Sequence, residues 1–316
     1  MDALLDISIL SWNIRGAHNR NSRRHMKDLI RKHNPTFLAI NETHVPFAKL
    51  FYFFTNNGFK PIQIVEAQGH YRGIWLLQNV AATSTSTVID FNNFSITFNI
   101  QRGDSNTFCT CIYASPNPTL HPNLWNHLTT INQHINSPWM LIGDFDETLF
   151  PSDQRGGIFN RNRAITFSTF LDNCNLLNLT TIGGSFTWHC NNNGLCILSK
   201  KLDRGLANVA WRLAFPEAFV EVLCRLHSDH NPLLLRFGGL PINRGIRPFR
   251  FEATWIDHED YADLVDRAWR SSNHNITSAL GKVRDQSIIF NLAVFGNIFR
   301  RKNKGGKQAE GGPKVS

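Results

Sequence analysis

The segment WMLIGDFDE, residues 139–147, decides how the rest of the chain is read. An apolar run of strand length, Trp139 to Ile142, leads through a glycine to Asp144, a residue suited to metal or phosphate chemistry. The same construction recurs along the chain. Ile7 to Trp12 ends at Asn13, Thr36 to Ile40 leads to Glu42, and Thr107 to Ile112 ends at Tyr113. In α/β sheets the carboxyl ends of strands lie along one rim, where loops expose side chains to a common crevice. The four polar residues are therefore expected to converge.

Further strand-like runs lie at Gly73 to Leu77 and Phe94 to Ile100, and helical patterns fall between the runs. Asn21 and Ser22 are N-cap candidates for a helix carrying Met26, Leu29, Ile30 and His33, stopped by Asn34-Pro35. After Pro122, Leu124, Leu128, Ile131 and Ile135 form one stripe. A third helix is predicted from about Asn162 to Cys174, burying Ile165, Phe170 and Leu171. This mixture predicts an α/β fold with a mixed, strand-rich core.

The expected organisation is a domain over residues 1–237, a Gly/Pro-rich linker over 238–250 and a helical connector over 251–302. The connector is expected to hold helices over roughly Glu259 to Arg270 and Ile276 to Arg301. The basic tail, 303–316, has too few apolar residues to offset its ordering entropy and is expected to be disordered.

A chain of 316 residues with 42% hydrophobic and 18% charged residues can bury a large core, which excludes disorder throughout. Its net charge of +9 favours a polyanionic partner. That excess is uneven: residues 241–316 hold 13 basic against 8 acidic residues, a net +5, leaving +4 for the first 240. Arg15, Arg20, Arg23, Arg24, Lys27, Arg31 and Lys32 crowd the first loop and helix, with Asp28 the one acid among them. They read either as a solvated helix face or as a nucleic-acid contact. The six cysteines lack paired zinc spacing. Neither a cationic signal region nor an apolar run of membrane-spanning length is present. The expectation is an intracellular protein with reduced thiols, and no protein partner can be inferred.

An Asn and a Glu are hard oxygen ligands, and a site of one or two carboxylates with positions open to phosphate oxygens suits Mg²⁺ rather than zinc. Downstream, Leu202-Asp203-Arg204 and Ser228-Asp229-His230-Asn231-Pro232 add acids and a histidine able to act as base or charge stabiliser.

Taken in order, SWN at 11–13, NETH at 41–44, IYASP at 112–116, GDFDE at 143–147, SFTW at 185–188, KLDRGLAN at 201–208 and SDHNP at 228–232 resemble the endonuclease/exonuclease/phosphatase superfamily. WNIRG, FTW followed by LDRGLAN, RPFRFEATW at 247–255 and FGNIFRRK at 295–302 narrow the likeness. They resemble the apurinic-type endonuclease of plant LINE-type, non-LTR retrotransposon polyproteins, truncated before the reverse transcriptase.

The resemblance implies a four-layered α/β sandwich of two packed mixed sheets with outer helices, followed by a short helical extension. It implies a DNA-nicking activity that leaves a 3′ hydroxyl, Mg²⁺ or Mn²⁺ as cofactor, and a nuclear location. By the same resemblance Asn13 and Glu42 bind the metal with Asp229 as a further ligand, and Tyr113 holds the scissile phosphate. Asp144 orients the attacking water or protonates the leaving oxygen. His230 contacts the phosphate, Asp203 orients its imidazole, and Arg15, Thr187 and Trp188 contact nucleic acid, with core packing weighed equally for Trp188.

One position departs from the pattern. Family members carry Asn where this chain has Asp146. Strand alternation places residues 144 and 146 on one face, so the exchange is expected to fall in the site and trade a hydrogen-bond donor for a charge facing an anionic substrate. At about 5 Å and an effective dielectric of about 20 that charge costs roughly 3 kcal/mol, on the order of a hundredfold in rate. Two other readings stand beside the endonuclease: an impaired remnant that at most binds nucleic acid, and a phosphatase of the same superfamily acting on a small molecule or lipid.

Overall fold

The computed structural model describes residues 2–67, 73–192, 195–239, 255, 258–271 and 276–290. The chain divides into two compact units, Met1–Pro241 and Ile242–Ser316. In chain order the first unit runs β1 (Ser8–Asn13), α1 (Arg20–His33), β2 (Phe37–Asn41), α2 (Phe51–Asn56), β3 (Phe59–Val65), β4 (Ile74–Asn79), β5 (Thr85–Phe91), β6 (Ser95–Arg102) and β7 (Ser105–Tyr113). It continues with α3 (His121–His134), β8 (Trp139–Asp144), β9 (Gln154–Arg155), α4 (Arg161–Asn173), β10 (Leu176–Asn178), β11 (Thr181–Ile182), β12 (Trp188–Asn192) and β13 (Leu195–Lys200). β14 (Asp203–Asn208), α5 (Val209–Ala214), β15 (Phe219–Val222) and β16 (Leu233–Arg236) complete it.

One sheet has the order β11-β15-β16-β1-β2-β4-β3 and the other β10-β14-β8-β7-β6-β5, with a small sheet β12-β13-β9 at the side. Both large sheets are mixed, since β1/β2 and β7/β8 are parallel while most other neighbours are antiparallel.

Period-two alternation builds the layers. Ile9, Phe37, Ala39, Ile74 and Leu76 of the first sheet share one core with Phe98, Cys109, Cys111, Met140 and Ile142 of the second. The intervening residues face outward: Leu10, Trp12, Leu38, Ile40 and Trp75 pack under Met26, Leu29 and Ile30 of α1 and Phe54 of α2. Ile112, Leu141 and Leu206 pack under Leu124, Trp125 and Leu128 of α3 and Phe167, Phe170 and Leu171 of α4. The result is helices, sheet, sheet, helices: an α/β sandwich in which β1, β2 and β8 are buried on both faces.

Two details differ from the sequence reading. The cap of α1 is Asn19, whose side chain accepts the Asn21 backbone N–H; Asn21 and Ser22 already lie inside the helix, and Ser22 is buried. In α4, Ile165 is 55% exposed, because the buried stripe runs through Ala164, Phe167, Phe170 and Leu171 and leaves Ile165 on the outer side.

The second unit holds α6 (Tyr261–Arg270) and α7 (Ile276–Phe290). Trp255, Tyr261 and Phe290 cluster, and the Tyr261 and Ser287 hydroxyls bond at 2.8 Å. The expected continuation of α7 to Arg301, the tail 303–316 and most of the linker lie outside the described residues.

Gly143 sets how closely β8 approaches β7. It pairs with Ile112, and a Cβ at this position would lie 2.0 Å from the Ile112 carbonyl oxygen, with φ at +143°. Gly143→Ala is therefore expected to lower stability by about 3 kcal/mol, measurable by urea denaturation. An unchanged midpoint would show that the strands can part without cost.

Candidate active site

The two sheets deliver their strand ends to one rim. Asn13 closes β1 beside Asn41, the last residue of β2. Asp144 closes β8 directly between Tyr113 of β7 and Asp203 of β14. Asp229 and His230 precede β16, and Trp188 at the start of β12 forms a bridge with His230. Arg15, Glu42, Asp144, Asp146, Trp188, Lys200 and His230 line a cleft of about 190 Å³. Three of these residues, Arg15, Glu42 and Asp146, hold left-handed φ values of 48°, 50° and 46°. Non-glycine residues in that region cost about 1–3 kcal/mol each and cluster at functional sites.

Hydrogen bonds tie the sheets together at this rim. The Asn13 side-chain amide donates to Asp144 Oδ2 at 3.0 Å, and that of Asn41 donates to the Ile112 carbonyl at 3.0 Å. Asp144 Oδ1 accepts the Asp146 backbone N–H at 3.0 Å. Nδ1 of His230 meets Asp203 Oδ2 at 2.9 Å, which orients the ring and leaves Nε2 3.8 Å from Asp144 Oδ2. Next to Asp144, Tyr113 donates its hydroxyl to Glu42 Oε1 at 3.1 Å. Arg15 donates from Nε to Glu42 Oε2 at 3.3 Å and from its terminal nitrogen to Asp229 Oδ2, which also accepts the Trp188 indole N–H at 2.8 Å.

Burial raises the Asp144 carboxyl to about 7, with Asp203 and Asp146 adding to the shift against the opposing pull of His230. For His230 burial opposes the charge, but Asp203 and Asp144 outweigh it and push the imidazole up to about 10. A carboxylate that gains and loses a proton near neutrality thus sits beside a histidine held in its charged form, the combination that separates acid from base roles.

The oxygens Asn13 Oδ1 and Asp229 Oδ1 are buried without a hydrogen-bond partner among the described residues. A buried acceptor left so costs about 1–3 kcal/mol, and a hard divalent cation satisfies such oxygens. With the Glu42 carboxylate these donors fit Mg²⁺ or Mn²⁺. Asp144, Asp203 and His230 also place ligand atoms within 4.8 Å of one another. Here His230 Nδ1 is engaged with Asp203 Oδ2 at 2.9 Å, so only its Nε2 faces the rest of the cluster.

Two expectations need correction. Thr187 cannot contact nucleic acid: it is 1% exposed, and its hydroxyl accepts the backbone N–H groups of Leu202 and Asp203 at 3.0 and 2.9 Å. It fixes the chain that presents Asp203. Asp146 does not continue strand alternation, because β8 ends at Asp144 and the chain turns through a left-handed residue. Its side chain still lines the cleft, but the Arg163 guanidinium lies 3.1 Å from Oδ2 and the His121 ring 3.9 Å away. The exchange of donor for charge therefore comes with a countercharge.

Sequence reasoning passed over Asn41, His121, Glu147, Arg163 and Lys200. His121, Glu147 and Arg163 form a network behind Asp146, with His121 Nδ1 at 2.6 Å from Glu147 and Arg163 Nε at 3.0 and 3.1 Å from its two carboxylate oxygens. The partners are 16 and 26 residues apart on different helices and a loop, a spacing without a local signature.

An α/β sandwich that gathers carboxylates, an amide and a histidine at the ends of its central strands presents the acid, base and metal-binding groups that hydrolases use. The chain belongs to the Endonuclease/Exonuclease/phosphatase family, whose profile matches residues 10–280. Among solved structures it is similar to the endonuclease domain of TRAS1, a telomere-specific non-LTR retrotransposon, at 11% identity and a TM-score of 0.58, covering 74% of this chain and 100% of that one. It is also similar to an AP endonuclease from Leishmania major (13% identity, TM-score 0.57, 72% and 86% covered). A 3′ phosphatase from Neisseria bound to a product DNA hairpin gives 17% identity and a TM-score of 0.56, with 73% and 99% covered. No curated protein sequence matches the chain.

Burial alone would hold His121 neutral, but the bond to Glu147, that to the Ser115 carbonyl and the charge of Asp146 raise its pKa above 6.5. A histidine whose pKa is higher folded than unfolded adds stability that is full below the unfolded value and lost as pH rises through the folded one. The wild-type Tm is therefore expected to fall with pH above 6.5 more steeply than that of His121→Gln. Parallel thermal-denaturation curves would remove His121 as the source.

Proposed function

We propose that the chain is a divalent-metal-dependent endonuclease of the retrotransposon type, which nicks DNA and leaves a 3′ hydroxyl. The observation that carries this reading is the gathering of two linked sets of groups at one rim of the sandwich: Asp203, His230 and Asp144 in one, Tyr113, Glu42, Arg15 and Asp229 in the other. The likeness of the fold to a retrotransposon endonuclease domain and an AP endonuclease supports DNA as substrate, as does the basic face of α1. Such an activity belongs in the nucleus. No helix among the described residues is long and apolar enough to cross a membrane.

Asn13, Glu42 and Asp229 would hold the metal, which would supply positive charge to offset that of the scissile phosphate. His230, kept protonated by Asp203, faces the same phosphate and stabilises charge as it builds. Asp144 orients the attacking water and takes its proton, a role suited to a carboxyl raised to about 7. Water adds its oxygen to phosphorus, the bond from phosphorus to the 3′ oxygen breaks, and that oxygen leaves as the hydroxyl once protonated. Tyr113, now donating to Glu42, lies where its hydroxyl can turn to a phosphate oxygen. Arg15 spans Glu42 and Asp229, and a cation bound to them would release its guanidinium toward a phosphate. Trp188 and Lys200 form the outer wall of the cleft, with the ammonium 6.0 Å from the ring centroid.

Plasmid nicking by the purified protein with Mg²⁺ tests the reading. Glu42→Ala and His230→Ala are each expected to lower kcat/KM by about a hundredfold or more. Nicking that survives both changes, or turnover of phosphorylated small molecules or lipids without DNA, would overturn it.

Arg20, Arg24, Lys27, Arg31 and Lys32 are exposed along α1, which starts five residues beyond Arg15. If the helix follows the DNA backbone, affinity falls steeply with salt, and replacing Arg24 and Lys27 by Ala lowers the slope of log Kd against log salt by roughly 2. An unchanged slope would make the helix a solvated face.

A further inference from the structure

The carboxylate of Asp146 lies in a cleft meant for a polyanion, and a second group of side chains behind it answers that charge. Arg163, near the start of α4, donates from Nη2 to the Asp146 carbonyl at 2.6 Å and to its carboxylate at 3.1 Å, and from Nε to both oxygens of the buried Glu147. Glu147 is held in turn by His121 of α3, whose other ring nitrogen bonds the Ser115 carbonyl at 2.6 Å. One guanidinium thus grips both the backbone and the side chain of the residue that turns the chain after β8.

That turn matters because its backbone N–H is the donor to Asp144 Oδ1, while Asn13 donates to Oδ2. The Asp144 carboxylate is aimed from two sides, and one of the two donors is in place only while Asp146 keeps its left-handed conformation of φ 46°. Asn and Asp are the residues that adopt this conformation most readily, so either side chain suits the backbone. What separates them is charge, and only the Asp needs a cation.

Resting on the hydrolase reading of this site, we infer that Arg163 is a positioning residue: it neutralises Asp146 and fixes the turn that aims Asp144. It touches neither substrate nor water itself. Its planar fork engages a carbonyl and two carboxylates at once, which a lysine ammonium cannot reproduce. Without Arg163, an uncompensated Asp146 faces the phosphate and its turn is free to shift. With an Asn at position 146 the electrostatic part of that demand vanishes.

A double-mutant cycle separates this role from plain packing of α4. Arg163→Met is made in the wild type and in Asp146→Asn, and kcat and KM are measured for Mg²⁺-dependent plasmid nicking, with Tm followed in parallel. Arg163→Met is expected to lower kcat/KM by on the order of thirtyfold in the wild-type background and by less than about threefold beside Asp146→Asn. Arg163→Lys, which keeps the charge and loses the fork, is expected to fall between. Equal losses in both backgrounds would overturn the inference and leave Arg163 a structural residue. Should Arg163→Met not fold, Arg163→Lys carries the same comparison.

If the wild type cleaves no DNA, the proposed function fails while the inference is still read by binding. The probe is then a fluorescein-labelled phosphorothioate duplex, titrated in EDTA and followed by anisotropy. Weaker binding from Arg163→Met in the wild-type background alone supports the countercharge role, and the same loss in both backgrounds overturns it.

Discussion

The hydrogen bond from the Asn13 amide to the Asp144 carboxylate, 3.0 Å long and buried, joins the end of β1 in one sheet to the end of β8 in the other. Its neighbour, from Asn41 to the Ile112 carbonyl, does the same for β2 and β7. Apolar packing between the sheets is non-directional and would tolerate some sliding. These polar ties give one end of the sandwich a fixed register, at about 1.5–3 kcal/mol for a bond to a charged group. The cleft stands at that end. Every group with a chemical role is placed relative to it: Tyr113 and Asp203 as register neighbours of Asp144, and His230 through its bond to Asp203.

Six acids crowd this rim and its surroundings, and the structure balances them in separate compartments. Asp203 and Asp144 share the His230 imidazolium, Glu42 and Asp229 share Arg15, and Asp146 shares Arg163 with Glu147. Like charges packed together in a low-dielectric site are costly unless a cation lies between them, and each pair here has one. The compartments differ in exposure: the side chains of His230 and Asp203 are nearly sealed, whereas Arg15 is half exposed and stands where the donor oxygens for a cation gather. The first compartment is thus sealed by burial, while the second is closed by one long, half-exposed side chain.

Much of this was legible in the chain itself. Largely apolar runs ending in Asn13, Tyr113 and Asp144 marked the central strands, because a strand buried on both faces admits little beyond apolar and small hydroxyl residues such as Ser11 and Thr110, and its first amide, phenol or acid marks the exit. The buried stripe of α1, Met26, Leu29 and Ile30, followed from simple periodicity. Misreadings arose where a residue's type was compatible with two environments. Thr187 suits a surface hairpin as well as the buried backbone clamp it forms, and Ile165 suits either side of a helix. Asp146 was placed by strand alternation that stops two residues short of it, before a left-handed turn invisible in residue type.

The sequence by itself determined the layers, the strand ends and the chemical kinds of groups available, since these depend on apolar periodicity and on what each side chain can donate, accept or ionise. Only the tertiary structure decided which charges meet. Arg163 stands 17 residues from Asp146 and His230 27 from Asp203, and nothing in either spacing says they touch. Electrostatic partnership depends on distances through space, which are set by how helices and sheets pack. The same Asp146 can thus be a repulsive charge when read along the chain and a neutralised one in the folded protein.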